Sequence, residues 1–387
     1  MIIAQLIFWI PLAALFYSYL VYPVLLNFLA RNKESNKTVY SFEELPPLSI
    51  LIAAHNEEHV IEEKLRSIFG SHYSNDKLEV FVGSDASIDR TDEIVESLGK
   101  EYGNLHLEKF TSRTGKINII NKLVSLSTNP IIVITDANVM FNEETLHELV
   151  KHFANKQIAL VDSHMMHKGS HKTGASSGES FYVRQEVKTK NHEGVLWGTM
   201  MGPFGGCYAV RKEYFHNVPG NFLVDDFYIN MKALEMGGKA ISELNAEVYE
   251  DVSHKPKVEF NRKVRIATGS FQNLFVFFKL LFRPGAIGFS FFSHKVIRWL
   301  GPVFFLCMFF SSCVLAYEYP LFAYIFWIEI LMLIIIPIDY LFYIIGIHFK
   351  VIHILRYFFF TNLAVFIGML KAIGGVSSSV WEPTKRQ

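Results

Sequence analysis

From Met1 to Ala30 the chain carries no charged side chain, and three more apolar stretches, near 296–316, 321–347 and 351–373, follow at the other end. About 20 apolar residues suffice to cross a bilayer as a helix, so each stretch is long enough to be a span. Lipid admits backbone only as helices or closed barrels. Polar chemistry must therefore sit in the middle of the chain, between helices. A cleaved signal would have a basic start, a shorter apolar core and a small-residue cleavage site, and Met1–Ala30 has none of these, so a retained anchor is expected.

Arg31, Lys33 and Lys37 flank that anchor, which by the positive-inside rule puts the middle of the chain in the cytoplasm and the amino terminus outside. Phe260 to Arg283 interleaves Arg262, Lys263, Arg265, Lys279 and Arg283 with phenylalanines and leucines, a pattern suited to the membrane interface. The 351–373 stretch contains Arg356 and Asn362 and is read as a span or as a re-entrant or interfacial segment. Three crossings would put the carboxyl terminus outside, against the preference of Lys371, Lys385 and Arg386 for the cytoplasm. If 351–373 does not cross, that conflict disappears.

Charge is balanced, with 37 basic and 37 acidic residues, and half of the chain is hydrophobic, so neither a nucleic-acid binder nor a disordered chain is expected. The three cysteines have no metal-ligand spacing, and a disulfide framework is not expected. The nearest histidine cluster, His164, His167 and His171, lies among glycine and serine in a stretch, Gln157 to Phe181, that reads as a polar loop.

In the middle region, Ile131-Ile132-Val133-Ile134 runs into Thr135-Asp136-Ala137-Asn138. So short a β-branched run reads as a buried strand, and ligands of open α/β sheets bind beyond the carboxyl ends of strands. The pattern repeats. Leu48 to Ala54 breaks into His55-Asn56-Glu57-Glu58 before a helical stripe, and Leu78 to Val82 ends in Gly83-Ser84-Asp85-Ala86-Ser87-Ile88-Asp89. Thr111 to Lys116 opens a helix whose first amides, with Arg113 and Lys116, suit an anion. Asp85, at a strand end, is read as a ligand group. Asp89 is open between a ligand role and capping the helix after it. Strands alternating with helices predict an α/β fold with a mostly parallel sheet. Trp197 to Val210 is dense in glycine, either for close approach to a ligand or for a tight loop, and Asp225-Asp226 begin a helix, where its dipole alone favours carboxylates.

These motifs together resemble the inverting, membrane-embedded family 2 glycosyltransferases, the group of cellulose, chitin, hyaluronan and poly-N-acetylglucosamine synthases, over roughly residues 45 to 280. The resemblance implies a GT-A nucleotide-diphospho-sugar transferase domain, Rossmann-like with a mostly parallel mixed sheet, inserted between transmembrane helices. Its expected extent is 45–258, between an anchor at 1–30, an amphipathic segment at 259–290, a membrane region of two to three spans at 296–373 and a tail at 374–387. By likeness to the family's motifs, Glu57 faces the nucleotide base and Asp85 contacts the uridine. Thr135-Asp136-Ala137-Asn138 stands where the family has its Asp-x-Asp metal motif, so Asp136 and Asn138 would hold Mg²⁺ or Mn²⁺, with Asn in place of the second acidic ligand.

Asp225-Asp226 resembles the Glu-Asp pair at the start of the acceptor helix, which makes Asp226 the general base and Asp225 the runner-up. Lys116 and Arg265 would neutralise the diphosphate. The synthases' Gln-x-x-Arg-Trp motif keeps only its arginine here, in Arg262-Lys263-Val264-Arg265-Ile266. Trp381-Glu382-Pro383-Thr384-Lys385-Arg386 resembles a Trp-x-x-Thr-x-Arg tail of relatives. The implied activity is transfer of a sugar from a nucleotide sugar, first a UDP-sugar, to a lipid-linked or glycan acceptor in polysaccharide biosynthesis. The expected setting is the inner (plasma) membrane, multi-pass, in contact with membrane lipids and without nucleic acid. Two alternatives stay open: a processive polysaccharide synthase, and a catalytically silent membrane subunit that binds a nucleotide sugar.

Overall fold

The structure is a computed structural model that describes residues 1–168, 176–251, 256–344 and 350–376. It has two compact units, a helical one (1–28, 171–187 and 255–375) and an α/β one (29–170, 188–254 and 376–387). The tail motif at 381–386 and His171 lie outside the described residues.

The α/β unit is built on one eight-stranded sheet: β1 (Leu48–Ala54), β2 (Leu78–Asp85), β3 (Leu105–Phe110), β4 (Ile131–Asp136), β5 (Val139–Phe141), β6 (Ile158–Lys168), β7 (Cys207–Arg211) and β8 (Lys239–Asp251). Their order is β3-β2-β1-β4-β7-β6-β8-β5. The first four are parallel, and the register is level at their carboxyl ends, with Ala53 beside both Gly83 and Asp136. β1 is buried along its whole length, as a strand covered on both faces should be. Ile50, Ile52, Val80, Val82 and Val133 form the core with Ile61, Leu65 and Ile68 of the Ile61–Phe69 helix. Burying each such side chain contributes about 1.5–3 kcal/mol before chain entropy is counted.

β7 turns the sheet antiparallel, pairing Thr135 with Cys207 on one side and Asp162 of β6 with Tyr208 on the other. The expected polar loop over Gln157 to Phe181 is corrected here. Ile158 to Ser163 is a buried strand in which Asp162 and Ser163 are themselves buried, so average polarity hid a strand whose polar residues face inward. Residues 176–187 group with the helical unit.

Among the described residues of the helical unit, three helices are long and apolar enough to cross a membrane: Ile2–Leu29, Pro320–Asp339 and Leu355–Gly374. The stretch near 296–316 is broken, with Ala286–Trp299 and Gly301–Leu315 bent by 58°. Pro302 at the start of the second helix lacks the N–H that a continuous ladder would need there. The amphipathic region becomes a Pro256–Val276 helix followed by a 3₁₀ turn, Phe278–Phe282, with Phe275, Phe278 and Phe282 exposed. A buried ionic cluster ties this unit internally. The Glu186 carboxylate accepts from His294 Nε2 and Arg298, each at 2.9 Å, and from Lys295, and Arg298 also donates to the Ser18 carbonyl at 3.0 Å. Burial opposes the charge of Glu186, and these cations more than offset it, holding the carboxyl well below its usual range.

Candidate functional site

Three parallel strands and two helix starts bring the polar residues of the α/β unit to one end of the sheet. Asp85 closes β2 and is fully buried. Its Oδ1 accepts from the Thr114 amide at 2.5 Å, and its Oδ2 from the Gly115 amide at 3.2 Å and Arg113 Nε at 3.1 Å. Gly115 has φ +87°, a left-handed conformation that glycine adopts without penalty and that turns both amides onto one carboxylate. His55 completes the knot. Its Nδ1 lies 2.7 Å from the Asp85 carbonyl and its Nε2 lies 2.8 Å from Arg113. A carbonyl only accepts and a guanidinium only donates, so Nδ1 carries the proton. Asp85 thus shapes the 111–116 turn, a job that a strand-end position alone does not reveal.

Asn56 and Ala86, the residues that leave β1 and β2, both have positive φ, 54° and 52°. They brace each other's turns, since the Ile88 amide donates to Asn56 Oδ1 at 2.9 Å and the Asn56 amide to Ser87 Oγ at 3.2 Å. Glu57 is half-buried beside them, with its amide on Thr91 Oγ1. Asp89 acts as the capping reading has it. Its oxygens take the Thr91 amide and hydroxyl at the start of the Thr91–Glu101 helix and the Glu58 amide.

Asp136 ends β4, and its Oδ1 accepts from Lys116 Nζ at 2.7 Å. Burial works against the charge on Lys116, but Asp136, Asp225 and Asp226 together lift its pKa above the ordinary lysine range. Asn138 donates its amide to Glu250 Oε1 of β8 at 3.0 Å, which leaves its carbonyl oxygen for a ligand. Among the described residues no three His, Cys, Asp or Glu side chains group as a metal site. Two protein oxygens, one anionic and one neutral, are nonetheless what Mg²⁺ or Mn²⁺ needs when phosphate and water fill the other positions. The donor set fits such an ion.

Asp225 and Asp226 open the Asp225–Glu235 helix. Asp225 is the more deeply buried, and its Oδ2 has no hydrogen-bond partner among the described residues. Asp226 is half-buried, with Oδ1 on the Phe227 amide at 2.8 Å. Burial first, and Asp225 second, push the Asp226 carboxyl up to about 6. The glycine-dense loop lies against it. A Cβ on Gly205, at φ +89°, would stand 2.6 Å from Asp226 Oδ2, and the Asp136 amide donates to the Gly206 carbonyl. Asp136, Lys116, Asp225 and Asp226 are therefore gathered within one unit. Arg265 lies on the Pro256–Val276 helix of the helical unit, where it is exposed.

Other residues of the site were not anticipated. Lys64 is fully buried beneath the β4–β5 turn, donating to Thr135 Oγ1 at 3.0 Å and to the Val139 carbonyl, with Nζ 3.3 Å from the centre of the Phe141 ring. Burial lowers its pKa to about 7. Its signal was in the sequence, as a lysine inside the apolar stripe Ile61, Leu65, Ile68. Tyr208, Asp162, Lys190 and Glu250 left no comparable signal. The Tyr208 hydroxyl is buried, with no hydrogen-bond partner among the described residues. Burial first, then Asp225, Asp226 and Asp136, raise its pKa well above the phenol range.

Comparison with known proteins agrees with this geometry. Residues 49–218 match the model described as glycosyl transferase family 2. A beta-monoglucosyldiacylglycerol synthase of Trichormus variabilis is 30% identical over 145 residues, 37% of this chain and 30% of that protein. A probable glycosyltransferase, YdaM, of Bacillus subtilis is 28% identical over 154 residues, 39% and 36% of the two chains. The chain thus spans only about a third of the length of these curated relatives. A mannosyltransferase from Pyrobaculum calidifontis, solved in complex with GDP-Man and Mn²⁺, superposes with a TM-score of 0.68 at 20% identity, covering 94% of this chain and 98% of that one. At that identity the likeness establishes the fold, which is GT-A. The match to glycosyl transferase family 2 thus runs through residues 49–218, the part of the chain that holds the level strand ends with Asp85 and Asp136.

Proposed function

We propose that the chain is an inverting glycosyltransferase that moves a sugar from a nucleotide sugar to an acceptor held at a membrane, with Asp226 as general base. The observation that carries this reading is the contrast within the acidic pair: Asp226 is partly accessible with its carboxyl raised to about 6, whereas Asp225 is the more deeply buried. A base poised near the working pH is the efficient one.

Asp226 would take the proton of the acceptor hydroxyl while that oxygen forms its bond to the anomeric carbon. The bond from that carbon to the phosphate oxygen breaks on the opposite face, and its electron pair leaves with the nucleoside diphosphate. Lys116 would turn from Asp136 toward a diphosphate oxygen, and the start of the Lys116–Leu126 helix adds its dipole. A Mg²⁺ or Mn²⁺ ion held by Asp136 and Asn138 would neutralise charge on the leaving group. The Asp85 knot and Glu57 would receive the base and ribose. Asp225 holds the field of the pair and is the second candidate for the base.

A membrane lipid or lipid-linked glycan is the acceptor class we favour. Supporting it are the three membrane-length helices and relatives named for monoglucosyldiacylglycerol. We place the activity at the inner (plasma) membrane, multi-pass with the α/β unit cytoplasmic, and the loss of Gln and Trp around Arg265 favours single or short addition.

The test is nucleoside diphosphate release by the purified chain in detergent with lipid extract. The donors are UDP-glucose, UDP-N-acetylglucosamine and GDP-mannose, with Mn²⁺ or Mg²⁺. Release with one donor, lost in Asp226→Asn and on chelation, supports the reading. Donor binding without release in any combination would sink it.

A further inference from the structure

We propose that Asp162 and Lys190 are positioning residues for Asp226, a buried charge pair that holds the 202–206 loop against its carboxylate and sets how readily it takes a proton. This rests on the reading of Asp226 as the base.

Asp162 is buried on β6, and both of its oxygens accept from the Phe204 amide, at 3.3 and 3.2 Å. Lys190, also buried, has its Nζ 4.0 Å from Asp162 Oδ2 and 3.6 Å from the centre of the Phe204 ring. The next residue, Gly205, lies on Asp226 Oδ2 so closely that no side chain fits between them. Contact therefore runs from Asp162 through the Phe204 amide and Gly205 to Asp226. Charges are rarely buried unless they are paired, and this pair sits directly behind the glycine loop.

The groups that face Asp226 from the surrounding elements are Asp225 beside it, Lys116 from its helix start, Lys190 and Asp162 from behind the loop, and the Tyr208 hydroxyl from β7. Asp162 and Asp226 are two carboxylates in each other's field, both raised first of all by burial, and Lys190 is the cation close to both. Removing the cation makes Asp226 harder to ionise. Removing the charge of Asp162, while keeping an oxygen for the Phe204 amide, makes it easier. A brace that acted only through packing would not move the two in opposite directions.

The experiment is an infrared pH titration of the full chain in detergent, following the protonated-carboxyl stretch assigned to Asp226 by its loss in Asp226→Asn. Lys190→Met should move that titration up and Asp162→Asn should move it down, each by about one pH unit. Lys190→Arg should stay near wild type, which keeps the test usable if the methionine variant does not fold. No movement in Asp162→Asn, or movement in the same direction in both variants, would overturn the proposal. The pH profile of nucleoside diphosphate release separates the two claims. If the infrared titration shifts as expected and the acid limb of turnover does not follow, the charge pair stands and the assignment of Asp226 as base falls.

Discussion

The two halves of the sheet treat their carboxylates in opposite ways. On the parallel side, Asp85 accepts from three N–H groups and Asp136 from an ammonium, so their oxygens are met by donors. On the mixed side, the Phe204 amide reaches both oxygens of Asp162 and the Phe227 amide reaches Asp226, yet burial raises both carboxyls in spite of these donors and of Lys190. Asp85 organises a turn and Asp136 a cation. A carboxylate that burial raises sits nearer the pH at which it can exchange a proton. One residue type thus does structural work at the donor end and is suited to proton work beside the glycine loop, and the difference lies in the surroundings.

Asp226→Asn should break the contrast most severely. Transfer is expected to fall about 10²- to 10⁴-fold with nucleotide binding retained, measured by product release and by nucleotide titration. Asp85→Ala attacks the other side by leaving the Thr114 and Gly115 amides and Arg113 without an acceptor. At about 1–3 kcal/mol for each buried group left unmet, a stability loss of roughly 3 kcal/mol and collapse of nucleotide affinity should appear in thermal unfolding and binding.

Glu250→Gln sharpens the metal question. With Asn138 no longer held by an anionic acceptor, the Mn²⁺ concentration for half-maximal release should rise about tenfold, and Asn138→Asp should lower it only in the Glu250→Gln background, where the new carboxylate does not face Glu250. The pH profile tests the raised carboxyl directly. The base must be ionised, so wild-type release should climb as pH rises through about 6, and at pH 5 it should be about a tenth of its plateau.

The smallest effect belongs to Asp89→Ala, which removes a helix-start acceptor and should cost about 1 kcal/mol. Burial opposes the charge on Asp89, but the Thr91 hydroxyl and amide and the Glu58 amide hold its carboxyl below the usual range. Its contribution is therefore present above the unfolded carboxylate range and lost as pH falls through the folded value. The wild-type advantage over Asp89→Ala should shrink in acid, as followed by thermal unfolding from neutral pH downward.

The parallel half was legible because its strands are short β-branched runs and its site residues follow them directly. Leu48–Ala54, Leu78–Asp85 and Ile131–Asp136 end in the polar clusters that spacing singled out. Asp225 and Asp226 stood out as a pair at a helix start. The mixed half was hidden because its strands carry buried polar residues. Asp162 and Ser163 sit inside β6 and made it look like a loop.

Local chemistry along the chain determined which residues end strands, which stretches are apolar enough for lipid, and where glycine must turn the backbone. Only the tertiary structure decided that Asp85 is spent on holding a turn, that Asn138 leans on Glu250 from 112 positions away, and that Lys190 and Asp162 stand behind Asp226. Proton affinity and orientation depend on burial and on charges brought together across the sheet, and no spacing along a chain records those distances.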